Sequence, residues 1–127
     1  MAEVVLDASA LLALLNDEPG AELVAESLPQ AAINAVNLSE VVAKLADAEM
    51  PDEAIRDALL VLSLDVVPFD VEQAYEAGLL RSATKGAGLS LGDRGCLSLA
   101  RRLDLPALTA DRMWEQLSVG AKVRVIR

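Results

Sequence analysis

Four acidic residues, Asp7, Glu40, Asp93 and Asp111, lie far apart in the chain, each where one local pattern gives way to another. Asp7 ends the apolar run Val4-Val5-Leu6, and Asp111 follows Ala107-Leu108-Thr109. Glu40 and Asp93 fall in what read as the first turns of two helices. In a protein that alternates strands with helices, the carboxyl ends of the strands and the adjoining helix starts meet at one rim, where ligands bind. Four carboxylates on one rim repel one another unless a cation holds them together. A hard divalent ion such as magnesium, which takes oxygen ligands, is the economical counter-charge. That combination suits metal-dependent phosphodiester chemistry.

The residues that are absent narrow the field. With no His, imidazole acid–base catalysis and His metal ligands are excluded. The single Cys96 excludes an internal disulfide and any multi-cysteine zinc site, and fits a reducing, cytoplasmic setting. Chemistry must therefore run on carboxylates, hydroxyls, amines, guanidiniums or water. Eleven Lys and Arg against 20 Asp and Glu give a net charge of −9. A protein that coats nucleic acid would be basic. Net charge does not decide the matter at a metal site, where a bound cation is often the largest local charge.

The elements that would position the acids follow from periodicity and breakers. Val4 to Asp7 reads as a buried strand, followed by an apolar helix through about Asn16. Pro19 fits the first turn of a second helix through Leu28, stopped by Pro29. Ala31 to Val36 reads as a weak strand, and Asn37 to Ala48 as a helix with Leu38, Val41, Val42 and Leu45 at core spacing. A helix opened by Pro51, a strand from Asp65 to Phe69 and a long helix from about Val71 to Lys85 come next, closed by Gly86-Ala87-Gly88. Leu91 to Leu103 reads as helix, Ala107 to Thr109 as strand, Asp111 to Leu117 as helix and Lys122 to Ile126 as a last strand. The alternation implies one α/β domain over residues 1–127, a mostly parallel sheet with helices on both faces. The longest apolar run, Ala10 to Leu15, is far below the roughly 18 residues of a membrane span, and no secretory signal is expected.

Each acid also has a purely structural reading. Asn37-Leu38-Ser39-Glu40 and Ser90-Leu91-Gly92-Asp93 both resemble capping boxes. Asp7 and Asp111 could be simple N-caps. Asp70 follows a strand in the same way, with Gln73 three residues on, and reads as a cap and nothing more. Position alone does not separate a ligand from a cap.

The flanking residues do more. The stretches Val5-Leu6-Asp7-Ala8-Ser9-Ala10-Leu11, Asn37-Leu38-Ser39-Glu40-Val41, Leu89-Ser90-Leu91-Gly92-Asp93-Arg94-Gly95 and Leu108-Thr109-Ala110-Asp111-Arg112 occur in order along the chain. Together they resemble the PIN-domain ribonucleases, in particular the VapC-type toxins of toxin–antitoxin pairs. The resemblance runs from about Val4 to Arg127. It implies a three-layer α/β/α sandwich around a mostly parallel sheet. It also implies that Asp7, Glu40, Asp93 and Asp111 are the catalytic acids that ligate magnesium or manganese. Ser9 and Thr109 would support that site. The implied partners are an RNA substrate such as a transfer RNA, a small antitoxin that blocks the site, and a second copy in a homodimer. Trp114, the aromatic after the last motif, reads as a packing residue rather than a platform for a base.

Candidate substrate contacts are Arg94 and Arg112, each directly after a proposed ligand, and Arg81 and Lys85, one turn apart on the long helix. Their plainer readings are internal counter-ions for the first pair and a solvated helix face for the second. Surplus apolar surface is expected on the first helix, Ala10 to Leu15, and at Leu60 and Val61, as at an interface. Two competing readings remain. A receiver-like aspartyl-phosphate domain would want paired early acids and a late lysine, where this chain has Asp7 alone and Arg112. A non-catalytic binding module on the same fold would have no need for all four acids.

Overall fold

The three residues Val4–Leu6 are buried, β-branched or bulky, and too few to shield their own backbone from water. They form β1, the central strand of a five-stranded sheet in the computed structural model, which describes Met1–Arg127. The strand order is β3-β2-β1-β4-β5, with β2 at Ala31–Asn34, β3 at Asp65–Val67, β4 at Ala107–Thr109 and β5 at Val123–Val125. Every pairing is parallel: Val5 lies opposite Ala32 on one side and Ala107 on the other. A parallel sheet needs cover on both faces.

Side chains alternate between those faces. Val4, Leu6, Ala31, Ile33 and Leu108 join a core with α1 (Ala8–Leu15), α2 (Ala21–Ser27), α3 (Ala35–Asp47) and α4 (Asp52–Leu60). Val5 and Ala107 join a second core with α5 (Val71–Ala83), α6 (Leu91–Leu103) and Trp114. The result is the three-layer α/β/α sandwich expected from the alternation. The apolar first helix is not open surface, contrary to expectation. α1 packs on α2 and α3, and Leu11 and Ala13 are fully buried, so its all-round hydrophobicity is that of a covered helix.

Chain order sets the position of the rim. From β1 the chain moves outward to β2 and β3, then returns to β4 on the other side of β1 and ends at β5. The reversal beside β1 is a topological switch point, where ligands bind outside the strand ends. Asp7 directly follows β1 there, and Asp111 follows β4. α5 runs antiparallel to α6: Arg102 near the end of α6 meets Asp70 and Glu76 of α5, and Arg94 near its start meets Ala77. The end of α5 therefore stands beside the start of α6, at the rim.

Candidate active site

Asp7 occupies the N-cap position of α1 with an extended backbone, yet makes no capping bond to the helix. Its Oδ2 instead accepts from Ser9 Oγ at 2.6 Å and from Thr109 Oγ1 at 3.0 Å. The two hydroxyl oxygens accept in turn from the amides of Ala110 and Asp111, at 2.9 and 3.1 Å. Ser9 and Thr109 thus stitch the end of β1 to the end of β4 and aim both hydroxyl hydrogens at one carboxylate. Asp7 is only 4% exposed. Burial pushes its carboxyl from an ordinary 3.8 up to about 6; the two hydroxyls oppose that rise, and the charges of Asp93 and Glu40 add to it.

Glu40 is not the capping-box glutamate that its spacing suggested. α3 starts two residues earlier than expected, with Asn34 as its cap accepting from the Val36 amide at 3.1 Å. Asn37 is consequently inside the helix and fully buried. Its Nδ2 donates to Glu40 Oε1 and to the carbonyl of Gly92, both at 2.9 Å, joining α3 to α6. Its Oδ1 has no partner. Gly92 makes the approach possible, since a Cβ there would lie 2.3 Å from the Glu40 carboxylate. The signal for this pair was present in sequence: an Asn and a Glu three apart on a helix face, and a glycine inside a helix that it weakens unless something comes close.

Asp93 does form its expected capping box. The Asp93 amide donates to Ser90 Oγ at 3.1 Å, and the Ser90 amide donates to Asp93 Oδ2 at 3.0 Å. Capping and proximity to the other acids coexist, because Asp93 still acts on Asp7 by charge. Cys96, one turn further along α6 and fully buried, has its thiol pushed up by burial and then by Asp7, Asp93 and Glu40. Asp93 and Glu40 therefore bear on two separate titrating groups, Asp7 and Cys96. Asp111 is the outermost acid. It is exposed, caps the short 3-10 turn Arg112–Gln116 through Met113 at 2.9 Å, and connects to Asp7 only through Thr109. No three of these side chains are drawn together into a ready-made ion cage. None of the four takes part in an ion pair.

The expected basic contacts separate. Arg94 reaches neither a phosphate-accessible surface nor a rim carboxylate: it is buried, and its Nη1 donates to the Ala77 carbonyl at 3.0 Å. It ties α6 to α5, because the helix face on which it falls is the one that packs. Arg112 is exposed and donates to the Arg127 carbonyl at 3.0 Å. Arg81 and Lys85 line a polar cavity of about 390 Å³ with Ser82, Thr84, Gly88 and Leu89. Trp114 is fully buried, as expected of a packing residue.

The sequence pattern of the PIN domain matches residues 4–120. The chain belongs to the PIN domain family. No curated protein sequence matches it. Its fold is similar to those of a set of solved structures of low identity, among them the following three. The Rickettsia felis VapBC2 structure, bound to a DNA fragment from its promoter, has a TM-score of 0.75 at 15% identity, over 96% of this chain and 97% of that one. A toxin–antitoxin complex from Klebsiella pneumoniae gives 0.76 at 20%, over 98% of each chain. DNA-bound VapBC from Salmonella typhimurium gives 0.72 at 20%, over 100% of each.

Away from the rim, this PIN domain carries a second concavity of about 530 Å³ between α3 and α4, lined largely by Leu38, Val42, Ile55, Leu59, Leu60 and Leu64. Leu60 in its lining and the neighbouring Val61 are exposed, at 79% and 76%. Val71, Tyr75 and Leu79 form a further exposed apolar stripe along α5. No helix is long and apolar enough to cross a membrane.

Proposed function

We propose that the chain is a divalent-metal-dependent ribonuclease, the VapC-type toxin of a toxin–antitoxin pair, acting in the cytoplasm. The observation that carries this reading is the rim itself: Asp7 is buried beside Asp93 and Glu40, and no cationic side chain pairs with any of them. A protein that keeps such charges without a counter-ion has reserved the place for one. The donor set fits magnesium or manganese, being oxygen throughout and free of His or thiolate.

Asp7, Asp93 and Glu40 would hold the ion, with Asp111 at the outer edge. When bound, such an ion makes a nearby water more acidic and offsets negative charge as the phosphodiester is displaced. The protein's own groups have distinct tasks. Ser9 and Thr109 fix the Asp7 carboxylate in one orientation. Asn37 and the space above Gly92 do the same for Glu40. Asp93 must share an oxygen with its cap or release it.

The apolar concavity between α3 and α4 suits a helix of a small antitoxin, and the α5 stripe suits a second copy of the chain, in keeping with the toxin–antitoxin assemblies that share this fold. The deciding experiment incubates the purified chain with labelled RNA in magnesium, then in chelator. Cleavage that stops on chelation and falls on the order of a thousandfold or more in Asp7→Asn supports the reading. Absence of cleavage of any RNA by the antitoxin-free chain would leave a binding module.

A further inference from the structure

Eleven basic side chains serve a chain of net charge −9, and most are already engaged. Arg56, Arg102, Lys122 and Arg127 are in ion pairs. Arg94, Arg101 and Arg112 donate to backbone carbonyls. Four remain without a polar partner: Lys44, Arg81, Lys85 and Arg124. Two of these four, Arg81 and Lys85, converge on one cavity of about 390 Å³, within the size range of ligand sites. Its walls are otherwise polar or small, with the Ser82 hydroxyl exposed and Leu89 the one apolar residue. Gly88 closes the loop with φ +63, a backbone geometry that side chains resist, and a Cβ there or at Gly86 would meet open space.

The cavity's position gives it meaning. Its lining runs from the last turn of α5 to Leu89, directly before Ser90 and the capping box of Asp93. An anion held by Arg81 and Lys85 thus sits beside the acidic rim, at the only place in the molecule where unpaired positive charges are gathered. We infer that this cavity is a backbone-phosphate subsite for single-stranded RNA, gripping a nucleotide next to the one presented to the acids. The inference rests on the ribonuclease reading and deepens it. It explains how so acidic a chain holds a polyanion: two unpaired cations act together in one pocket although the net charge of the chain is negative. Such a grip reads phosphate and not sequence.

The test removes equal charge from two places. The double variant Arg81→Ala with Lys85→Ala is compared with Lys44→Ala with Arg124→Ala, whose residues are likewise exposed and unpaired. A short end-labelled oligouridylate is bound to each pair of substitutions made in Asp7→Asn protein without divalent ion, across a salt series. The pocket pair should weaken binding about a hundredfold, about tenfold for each charge-assisted contact. It should also flatten the log–log salt slope by about 1.4, at roughly 0.7 for each lost phosphate contact. The control pair should change neither. In magnesium, with Asp7 intact, the pocket pair should raise KM for cleavage and leave kcat within a few-fold. Equal weakening in both pairs, or none in either, overturns the subsite. Pocket-dependent binding without any cleavage by the wild-type chain keeps the subsite and fails the ribonuclease reading; cleavage indifferent to the pocket does the reverse.

Discussion

Two buried polar assemblies sit within a few turns of each other, and they are built to opposite standards. In one, Asn34 donates to Gln73 Oε1 at 2.7 Å and to the Gly95 carbonyl at 3.1 Å, while its Oδ1 accepts from Val36. Gln73 completes the set by donating to the Pro68 carbonyl at 2.7 Å and capping to Asp70 through its amide. Every group in it is neutral except the exposed cap, and every buried bond is filled. It joins β2, α5 and α6. The other assembly holds Asp7, Glu40 and Asn37, with a buried carboxylate, no cation and an unpartnered Asn37 Oδ1. A buried network that is complete rigidifies; one left charged and incomplete costs stability, and is retained for what it binds.

The largest expected difference lies in charge. Moving Asp7 from 3.8 to about 6 corresponds to about 3 kcal/mol. Because the folded-state value is raised, the favourable contribution of Asp7 is complete below about 3.8 and lost as pH rises through about 6. In metal-free buffer, Asp7→Asn should therefore be more stable than wild type at neutral pH by up to about 3 kcal/mol. That advantage should vanish in acid. Urea melts of both proteins across the window measure it, and a difference curve flat in pH would mean that the rim is not strained. Divalent ion should shrink the advantage by stabilising only wild type.

The two asparagines sharpen the same contrast. Asn34→Ala strands the Val36 amide and the buried Gln73 Oε1 and removes a donor from the Gly95 carbonyl, so unfolding free energy should fall by about 3 kcal/mol, with activity per folded molecule unchanged. Asn37→Ala removes two bonds rather than three and takes an orphan oxygen with it, and its stability loss should be near 1 kcal/mol. Its RNA cleavage should drop about 10- to 100-fold, because Glu40 loses its orienting partner. Equal loss of activity in both variants would merge the two assemblies into one.

Glycines one turn apart on α6 separate them again. A Cβ at Gly95 would lie 2.7 Å from Val36 Cγ1, inside the packed layer, so Gly95→Ala should cost about 1–3 kcal/mol of stability. At Gly92 the atoms nearest to a Cβ are those of the Glu40 carboxylate, the far end of a flexible side chain that can swing aside. Gly92→Ala should fold with near wild-type stability while cleavage falls about 10- to 100-fold. Thermal melts beside initial rates read both. A Gly92→Ala protein that unfolds as readily as Gly95→Ala would show that Glu40 is structural.

What could be read in advance follows physical locality. The bounds of α6 and β4 match the sequence reading residue for residue, since a Ser90 cap, an apolar stripe and a short β-rich run are local signals. The start of α3 did not, because β-branched Val36 prolongs the look of a strand where Asn34 already caps a helix. The pattern therefore gives Asn37 the look of a cap and hides its tie between Glu40 and Gly92. The hydrogen bond from Asn34 to Gln73 spans 39 residues and leaves no periodic trace. Arg94 misled for a related reason: its neighbour Asp93 faces the rim, but one helical step turns the side chain through about 100° onto α5. Asp7, Asp93 and Asp111 stand where the sequence puts them, because strand ends and helix starts are places that sequence marks, whereas Glu40 lies in the second turn of α3.

The smallest effect belongs to the hydroxyl that steadies Asp7. Ser9 Oγ donates to Asp7 at 2.6 Å and accepts from the Ala110 amide at 2.9 Å, while Thr109 supplies a second donor at 3.0 Å. Ser9→Ala therefore removes one of two donors and costs about 1 kcal/mol of stability. Its informative readout is elsewhere. A hydrogen bond to the ionised form holds the Asp7 carboxyl down, so its loss should move the acid limb of the pH–rate profile upward, by less than one pH unit. Ser98→Ala serves as the comparison, since Ser98 is equally a helix hydroxyl, bonded only to the Gly95 carbonyl of the neutral assembly. It should leave the limb in place. An unmoved limb in Ser9→Ala would detach the ionisation of Asp7 from catalysis, and the two assemblies would then differ in charge but not in purpose.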